Sequence, residues 1–156
     1  MISAPDKLHV IAEDMQVGML TGSFAEEYPL SILIAEDNFV NKILIERILQ
    51  KLGYKADTAA DGTQVLSSIA KKQYNVILMD VRMPEMDGYE TTQIIRQMNT
   101  NQPFIIAMTA NAMSNDREEC LQNGMNDYIA KPIRMNDVIT KLKIAAAYCK
   151  NIRTED

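Results

Sequence analysis

Asp80 follows the apolar run Val76-Ile77-Leu78-Met79 and precedes Val81-Arg82-Met83-Pro84-Glu85-Met86-Asp87-Gly88. Such a run suits a strand buried on both faces of a parallel sheet, so the carboxylate falls where a buried strand gives way to a loop. Other polar groups stand in equivalent places. Glu36 and Asp37 follow Leu33-Ile34-Ala35, Thr109 follows Phe104 to Met108, and Lys131 follows Tyr128 to Ala130. Three carboxylates brought together repel, so their pocket raises at least one pKa or recruits a cation. Oxygen-only ligands, few of them from protein, suit octahedral Mg2+. A carboxylate beside such a cation can attack a phosphoryl group. The phosphoryl oxygens would then be shared among the metal, Lys131, and the Thr109 hydroxyl with nearby backbone N–H groups. No Ser/His/Asp nucleophilic set is visible, because the single histidine, His9, lies near the N-terminus.

The intervening segments must bring these groups together. Asn38 can cap a helix whose apolar face includes Val40, Ile43, Leu44, Ile48 and Leu52, with Gly53 at its exit. Tyr54 to Thr58 fit a second strand. Asp61 with Gln64, and Asp87 with Glu90, have capping-box spacing before helices bearing Val65, Leu66, Ile69 and Ala70, and Ile94, Ile95 and Met98. The third strand is 76–79 and the fourth Phe104 to Met108. A fourth helix near 112–122 stops at Gly124, and Tyr128 to Ala130 make a short fifth strand. The last helix carries Met135, Val138, Ile139, Leu142, Ala145, Ala146 and Cys149. This alternation predicts a flavodoxin-like, doubly wound (βα)5 fold with right-handed crossovers. A parallel strand order 2-1-3-4-5 sets strands one and three side by side, with Glu36, Asp37 and Asp80 in one crevice.

Bulk properties narrow the class. At 156 residues, 47% hydrophobic and 24% charged, the chain reads as one globular domain with a tail. The net charge of −5 argues against nonspecific binding to nucleic acid or an anionic membrane. Cys120 and Cys149 lack metal-ligand spacing and read as helix residues of a protein in a reducing cytosol. Neither a membrane-spanning stretch nor a secretory signal is recognisable. Residues 1–30 hold Pro5, Gly18, Gly22 and Pro29 without sustained periodicity, and read as an N-terminal extension or interdomain linker. Val10-Ile11-Ala12-Glu13-Asp14 echoes Leu33-Ile34-Ala35-Glu36-Asp37, but a repeat would need further elements after the first copy. The domain is expected over 31–150, with 151–156 as a C-terminal tail.

Glu36-Asp37, the Met79 to Gly88 segment, Thr109-Ala110 and Lys131-Pro132 resemble the receiver domains of two-component response regulators, over about residues 31–149. The resemblance implies that Asp80 accepts a phosphoryl group from a phosphohistidine. It implies that Glu36, Asp37, Asp80 and the backbone carbonyl of Arg82 organise Mg2+, and that Thr109 and Lys131 contact the phosphoryl oxygens. Tyr128 matches the family's switch aromatic, and the Lys131-Pro132 bond is expected to be cis. Phosphorylation would draw Thr109 inward and let Tyr128 fill the vacated space. The surface of the fourth helix, fifth strand and fifth helix would then change partner preference.

Asp37-Asn38 with Asn41, Thr109-Ala110-Asn111-Ala112-Met113, and Gly124-Met125-Asn126-Asp127-Tyr128 look like receivers of hybrid sensor histidine kinases. Phe39 departs from the proline often found there, which bears on helix-start geometry and not on the chemistry. On this reading residues 1–30 lead from an upstream kinase core. The implied partners are a histidine kinase, a histidine phosphotransfer protein, or both, with no direct contact to nucleic acid or membrane. The domain is expected in the cytoplasm or on the cytoplasmic part of a membrane-anchored hybrid kinase, as a monomer or weak dimer. No output domain is expected after Cys149, and a stand-alone single-domain response regulator is the alternative. A haloacid dehalogenase-type phosphatase typically carries a second Asp two residues after its nucleophile, where this chain has Arg82. A degenerate docking scaffold would lack some of the chemical positions, all of which are filled. The side chains of Arg82 and Asn111 are placed at the pocket rim, where they would tune phosphoryl lifetime.

Overall fold

The apolar runs become strands whose alternate residues enter two different cores. A computed structural model describes residues 23–110 and 114–155. Its strands are β1 (Ile32–Ala35), β2 (Asp57–Ala59), β3 (Val76–Asp80), β4 (Phe104–Thr109) and β5 (Asp127–Ala130). Its helices are α1 (Ser23–Glu27), α2 (Phe39–Lys51), α3 (Gly62–Lys71), α4 (Gly88–Gln97), α5 (Ser114–Gln122) and α6 (Met135–Glu155). The sheet is parallel throughout, in the expected order β2-β1-β3-β4-β5. Ile32, Ile34, Val76, Leu78, Phe104 and Ile106 pack on one face with Ile45 and Leu49 of α2 and Val138 and Leu142 of α6. Leu33, Ile77, Met79, Ile105 and Ala107 pack on the other with Val65 of α3, Ile95 of α4 and Cys120 of α5. Burial on both faces is why these runs are continuously apolar rather than alternating.

The capping predictions hold. Asn38, Asp61 and Asp87 each accept a backbone N–H from three residues ahead, at 3.0, 2.9 and 2.8 Å. Gly53 and Gly124 adopt φ 97° at the exits of α2 and α5, the left-handed conformation that ends helices at glycine. No helix among the described residues is long and apolar enough to cross a membrane.

Three expectations shift. In α2, Val40 and Leu44 stand exposed, while Ile45, Ile48, Leu49 and Leu52 face the sheet. Two adjacent apolar stripes share this helix, and contact with the sheet selects the second. The second strand pairs only over Asp57–Ala59 rather than from Tyr54. The Tyr54 N–H instead bonds back to Leu49 O at 2.9 Å, closing the end of α2. Within the expected linker, the short helix α1 packs on the domain. Phe24 is 4% exposed and lies in a core cluster with Tyr54, Ala25 N donates to Leu52 O at 3.0 Å, and the Tyr54 hydroxyl donates to Tyr28 O at 2.6 Å. Residues 1–22, with His9 and the Val10 to Asp14 echo, and Asn111, Ala112 and Met113 lie outside the described residues.

Candidate functional site

β1 and β3 run in register from Ile32 beside Val76 to Ala35 beside Met79, so the residues that follow emerge side by side. Glu36 is 1% exposed and Asp80 5%. Glu36, Asp37 and Asp80 each offer an oxygen within 4.8 Å of the others, the convergence expected from the sequence. Glu36 Oε1 accepts the Asn38 N–H at 3.2 Å and the Asn41 amide at 3.4 Å. Its Oε2 is buried without a hydrogen-bond partner, and the Lys131 ammonium lies 3.3 Å away as an ion pair only. Lys131 also sits 3.2 Å from Asp80 Oδ1, the oxygen that accepts the Arg82 N–H at 3.1 Å. Burial, then the neighbouring Asp80 charge, push the Glu36 carboxyl above its usual range, while Lys131 pulls it down. Of the two expected answers to carboxylate crowding, the raised carboxyl is present at Glu36, and the Lys131 ammonium offsets part of the charge.

This donor set fits a hard divalent cation. Three carboxylates at one point, one with a buried orphan oxygen, offer more negative charge than a single lysine balances. Gly88 keeps the floor of the site tight. A Cβ built there would collide with Asp80 O, so only glycine lets the start of α4 approach the end of β3.

Thr109 ends β4 at 7% exposure, and its hydroxyl donates to Asp116 Oδ2 of α5 at 3.5 Å. Its carbonyl accepts the Lys131 N–H at 2.7 Å, tying the two strand ends together. The Lys131-Pro132 bond is cis, as expected. These groups line a cleft of about 710 Å³, and the Arg82 side chain stands exposed on its wall. Tyr128 is half-buried on β5 against the α3–α4–α5 core, with the Lys141 ammonium 5.4 Å from its ring centre, and does not line the cleft.

The cleft also includes residues that sequence reasoning did not assign to it: Asn38, Asp87, Tyr89, Asp116 and Glu119. Asn38 and Asp87 were read as caps and as parts of the family-like segments, not as residues of the cleft. Asp116 and Glu119 belong to the helix with the weakest periodicity, so nothing in the sequence aimed them inward. Tyr89 places its hydroxyl 3.7 Å from Cys120 Sγ, and burial pushes both groups above their ordinary pKa values. That makes Cys120 a packed thiol rather than a reactive one.

A family model described as the response regulator receiver domain matches residues 32–143. The chain is 44% identical over 123 residues to hybrid signal transduction histidine kinase H of Dictyostelium discoideum, covering 76% of this chain and 9% of that protein. It is 43% identical over 113 residues to the sensor protein EvgS of Escherichia coli, covering 72% and 9%. Its fold matches the receiver domain of sensor histidine kinase PA1611 from Pseudomonas aeruginosa PAO1, with TM-score 0.70 and 44% identity, over 76% of this chain and 98% of that one. That crystal structure carries a magnesium ion coordinated in its active-site cleft. The chain thus spans about one tenth of the curated relatives it matches.

Proposed function

The chain belongs to the response regulator receiver domain family, and on that premise we propose that Asp80 accepts a phosphoryl group from a protein phosphohistidine. An Asp80 oxygen attacks phosphorus, the P–N bond to the histidine breaks, and the imidazole nitrogen leaves with the bonding pair. An acyl phosphate results. The observation that carries this reading is the environment of Asp80: buried, in contact with the Lys131 ammonium, and oriented by the Arg82 N–H. Both contacts fall on Oδ1, so the carboxylate is held by one oxygen while Oδ2 lies outside that pair. Lys131 supports charge on the transferred group, and the Thr109 hydroxyl contacts a phosphoryl oxygen. Glu36, Asp37, Asp80 and the Arg82 backbone carbonyl would hold Mg2+. When bound, the ion neutralises charge on the phosphoryl oxygens.

We read the unit over 31–150 as the receiver of a hybrid histidine kinase, with 1–30 leading from an upstream kinase core and 151–156 as a tail. Similarity at 44% identity to a hybrid signal transduction histidine kinase supports this. The partner is a histidine kinase or histidine phosphotransfer protein, met in the cytoplasm. Asp80 lies deep, so a donor histidine must press against the rim. There Phe39 and Val40, at 67% and 73% exposure, and Leu44 present an apolar patch beside Asn38 and Asn41 of the cleft. Incubation with a phosphorylated histidine phosphotransfer domain and Mg2+ should add one phosphoryl group to the intact protein. Asp80→Asn should abolish it, and label retained on that variant would overturn the assignment.

A further inference from the structure

α5 contributes two acids, Asp116 and Glu119, to a cleft that phosphorylation of Asp80 would make more negative. Asp116 stands in the first turn of α5, half-buried, with Oδ2 3.5 Å from the Thr109 hydroxyl. Glu119, one turn on, lines the same cleft as Glu36, Asp37 and Asp80. A contact at 3.5 Å is near the outer limit for a hydrogen bond, and so is easily exchanged for a better acceptor. A phosphoryl group on Asp80 would bring such acceptors and a charge near −1.5 to −2, to which Asp116 would be directly opposed.

The C-terminal end of α5 is tied to its neighbours. At its C-terminal end Cys120 is 1% exposed. Arg96 of α4 then clamps the turn that follows: its guanidinium donates to Gly124 O at 2.8 Å and to Asn126 Oδ1 at 2.7 Å. Asn126 N in turn bonds Ile105 O of β4 at 2.8 Å. Along the middle of α5, Arg117, Glu118 and Glu119 are exposed. The C-terminal end of α5 is thus tied to α4 and β4, and Asp116 lies at the opposite end, beside Thr109.

We propose that Asp116 is a positioning residue, a resting-state latch that holds the Thr109 hydroxyl and the first turn of α5 at the cleft and is expelled when Asp80 is phosphorylated. This rests on the phosphoacceptor reading above. The latch favours the unmodified form, and the phosphoryl group reverses that preference by taking the Thr109 proton donor and repelling the carboxylate. A modification shifts a two-state equilibrium only by its differential interaction with the two states. Asp116 therefore sets part of that difference, and its removal should make the phosphorylated state easier to reach.

The test is a titration of beryllofluoride, a phosphoryl mimic, in the presence of Mg2+, on wild type, Asp116→Asn, Glu119→Gln, Thr109→Ala and Thr109→Ala/Asp116→Asn. Asp116→Asn should bind about tenfold more tightly than wild type, within the range usual for coupled sites. Glu119→Gln, the same charge change one turn along, should gain much less. In the Thr109→Ala background the Asp116→Asn gain should shrink severalfold, because the latch acts through that hydroxyl. Amide exchange in 114–118 of the unmodified protein should quicken in Asp116→Asn while that in 124–130 stays protected. An unchanged or weaker affinity in Asp116→Asn, an equal gain in Glu119→Gln, or a full gain without Thr109 would each overturn the latch. A wild-type protein that fails to bind the mimic while Asp80 is intact would instead sink the phosphoacceptor reading.

Discussion

The Lys131 ammonium lies 3.2 Å from Asp80 Oδ1, and its second contact, 3.3 Å away, is the orphan oxygen of Glu36. One cation thus bridges the proposed nucleophile and a proposed metal ligand, and must redistribute between them when charge enters the site. Lys131→Met should lower the rate of phosphoryl transfer to Asp80 about a hundredfold, the scale seen when one preorganised charge-stabilising donor is removed. Single-turnover transfer kinetics check this. A rate within threefold of wild type would remove Lys131 from the transfer step.

Phe24 lies before the segment matched by the family model, yet it is buried between Tyr28 and Tyr54, with ring centres 4.9 and 6.0 Å away. Phe24→Ala should destabilise the domain by about 3–5 kcal/mol, as for other buried aromatic truncations. Urea denaturation reads it directly. A change under about 1 kcal/mol would mean that α1 is an ornament rather than part of the core.

If the apolar residues of α2 dock the donor protein, docking and chemistry are separable. Phe39→Ser with Val40→Ser should slow transfer from a phosphohistidine protein by tenfold or more, while transfer from acetyl phosphate stays as in wild type. Both side chains are more than half exposed, so stability should change by no more than about 0.5 kcal/mol. Equal slowing with both donors would locate the defect in the site instead.

Far from the cleft, Asp57 accepts the Tyr74 hydroxyl at 2.6 Å and the Lys72 ammonium at 3.1 Å. The Tyr74 bond first, then Lys72, hold the Asp57 carboxyl below its usual range. Its contribution is therefore present above the ordinary Asp pKa near 3.8 and is lost as pH falls through the depressed folded value. Tyr74 is pushed up to about 12 by burial and then by Asp57, so its share is complete below pH 10 and fades as pH rises toward 12. Thermal melts across pH should show the acid limb flattened in Asp57→Asn and the alkaline limb flattened in Tyr74→Phe. Unaltered limbs in both variants would show that the pair carries no pH-dependent stability.

Much of the molecule was legible before any coordinates. Runs such as Val76 to Met79 could be read as doubly buried strands because both faces of a parallel sheet exclude water. The caps at Asn38, Asp61 and Asp87 were legible because a cap is local, satisfied within one turn of its own helix. The convergence of Glu36, Asp37 and Asp80 followed from topology alone, since strand order puts β1 beside β3. Three matters depended on contacts between segments distant in sequence. Which stripe of α2 is buried was decided by the sheet beneath it, leaving Phe39, Val40 and Leu44 outside. The docking of Phe24 was decided by a pocket formed with Tyr54 beyond the end of α2. The approach of Asp116 to Thr109 was decided by how α5 packs, through Cys120, against the sheet. Local pattern determines which elements form and which residues stand at their ends. Only packing between elements determines which exposed or polar side chain meets which, because that depends on distances no single segment encodes.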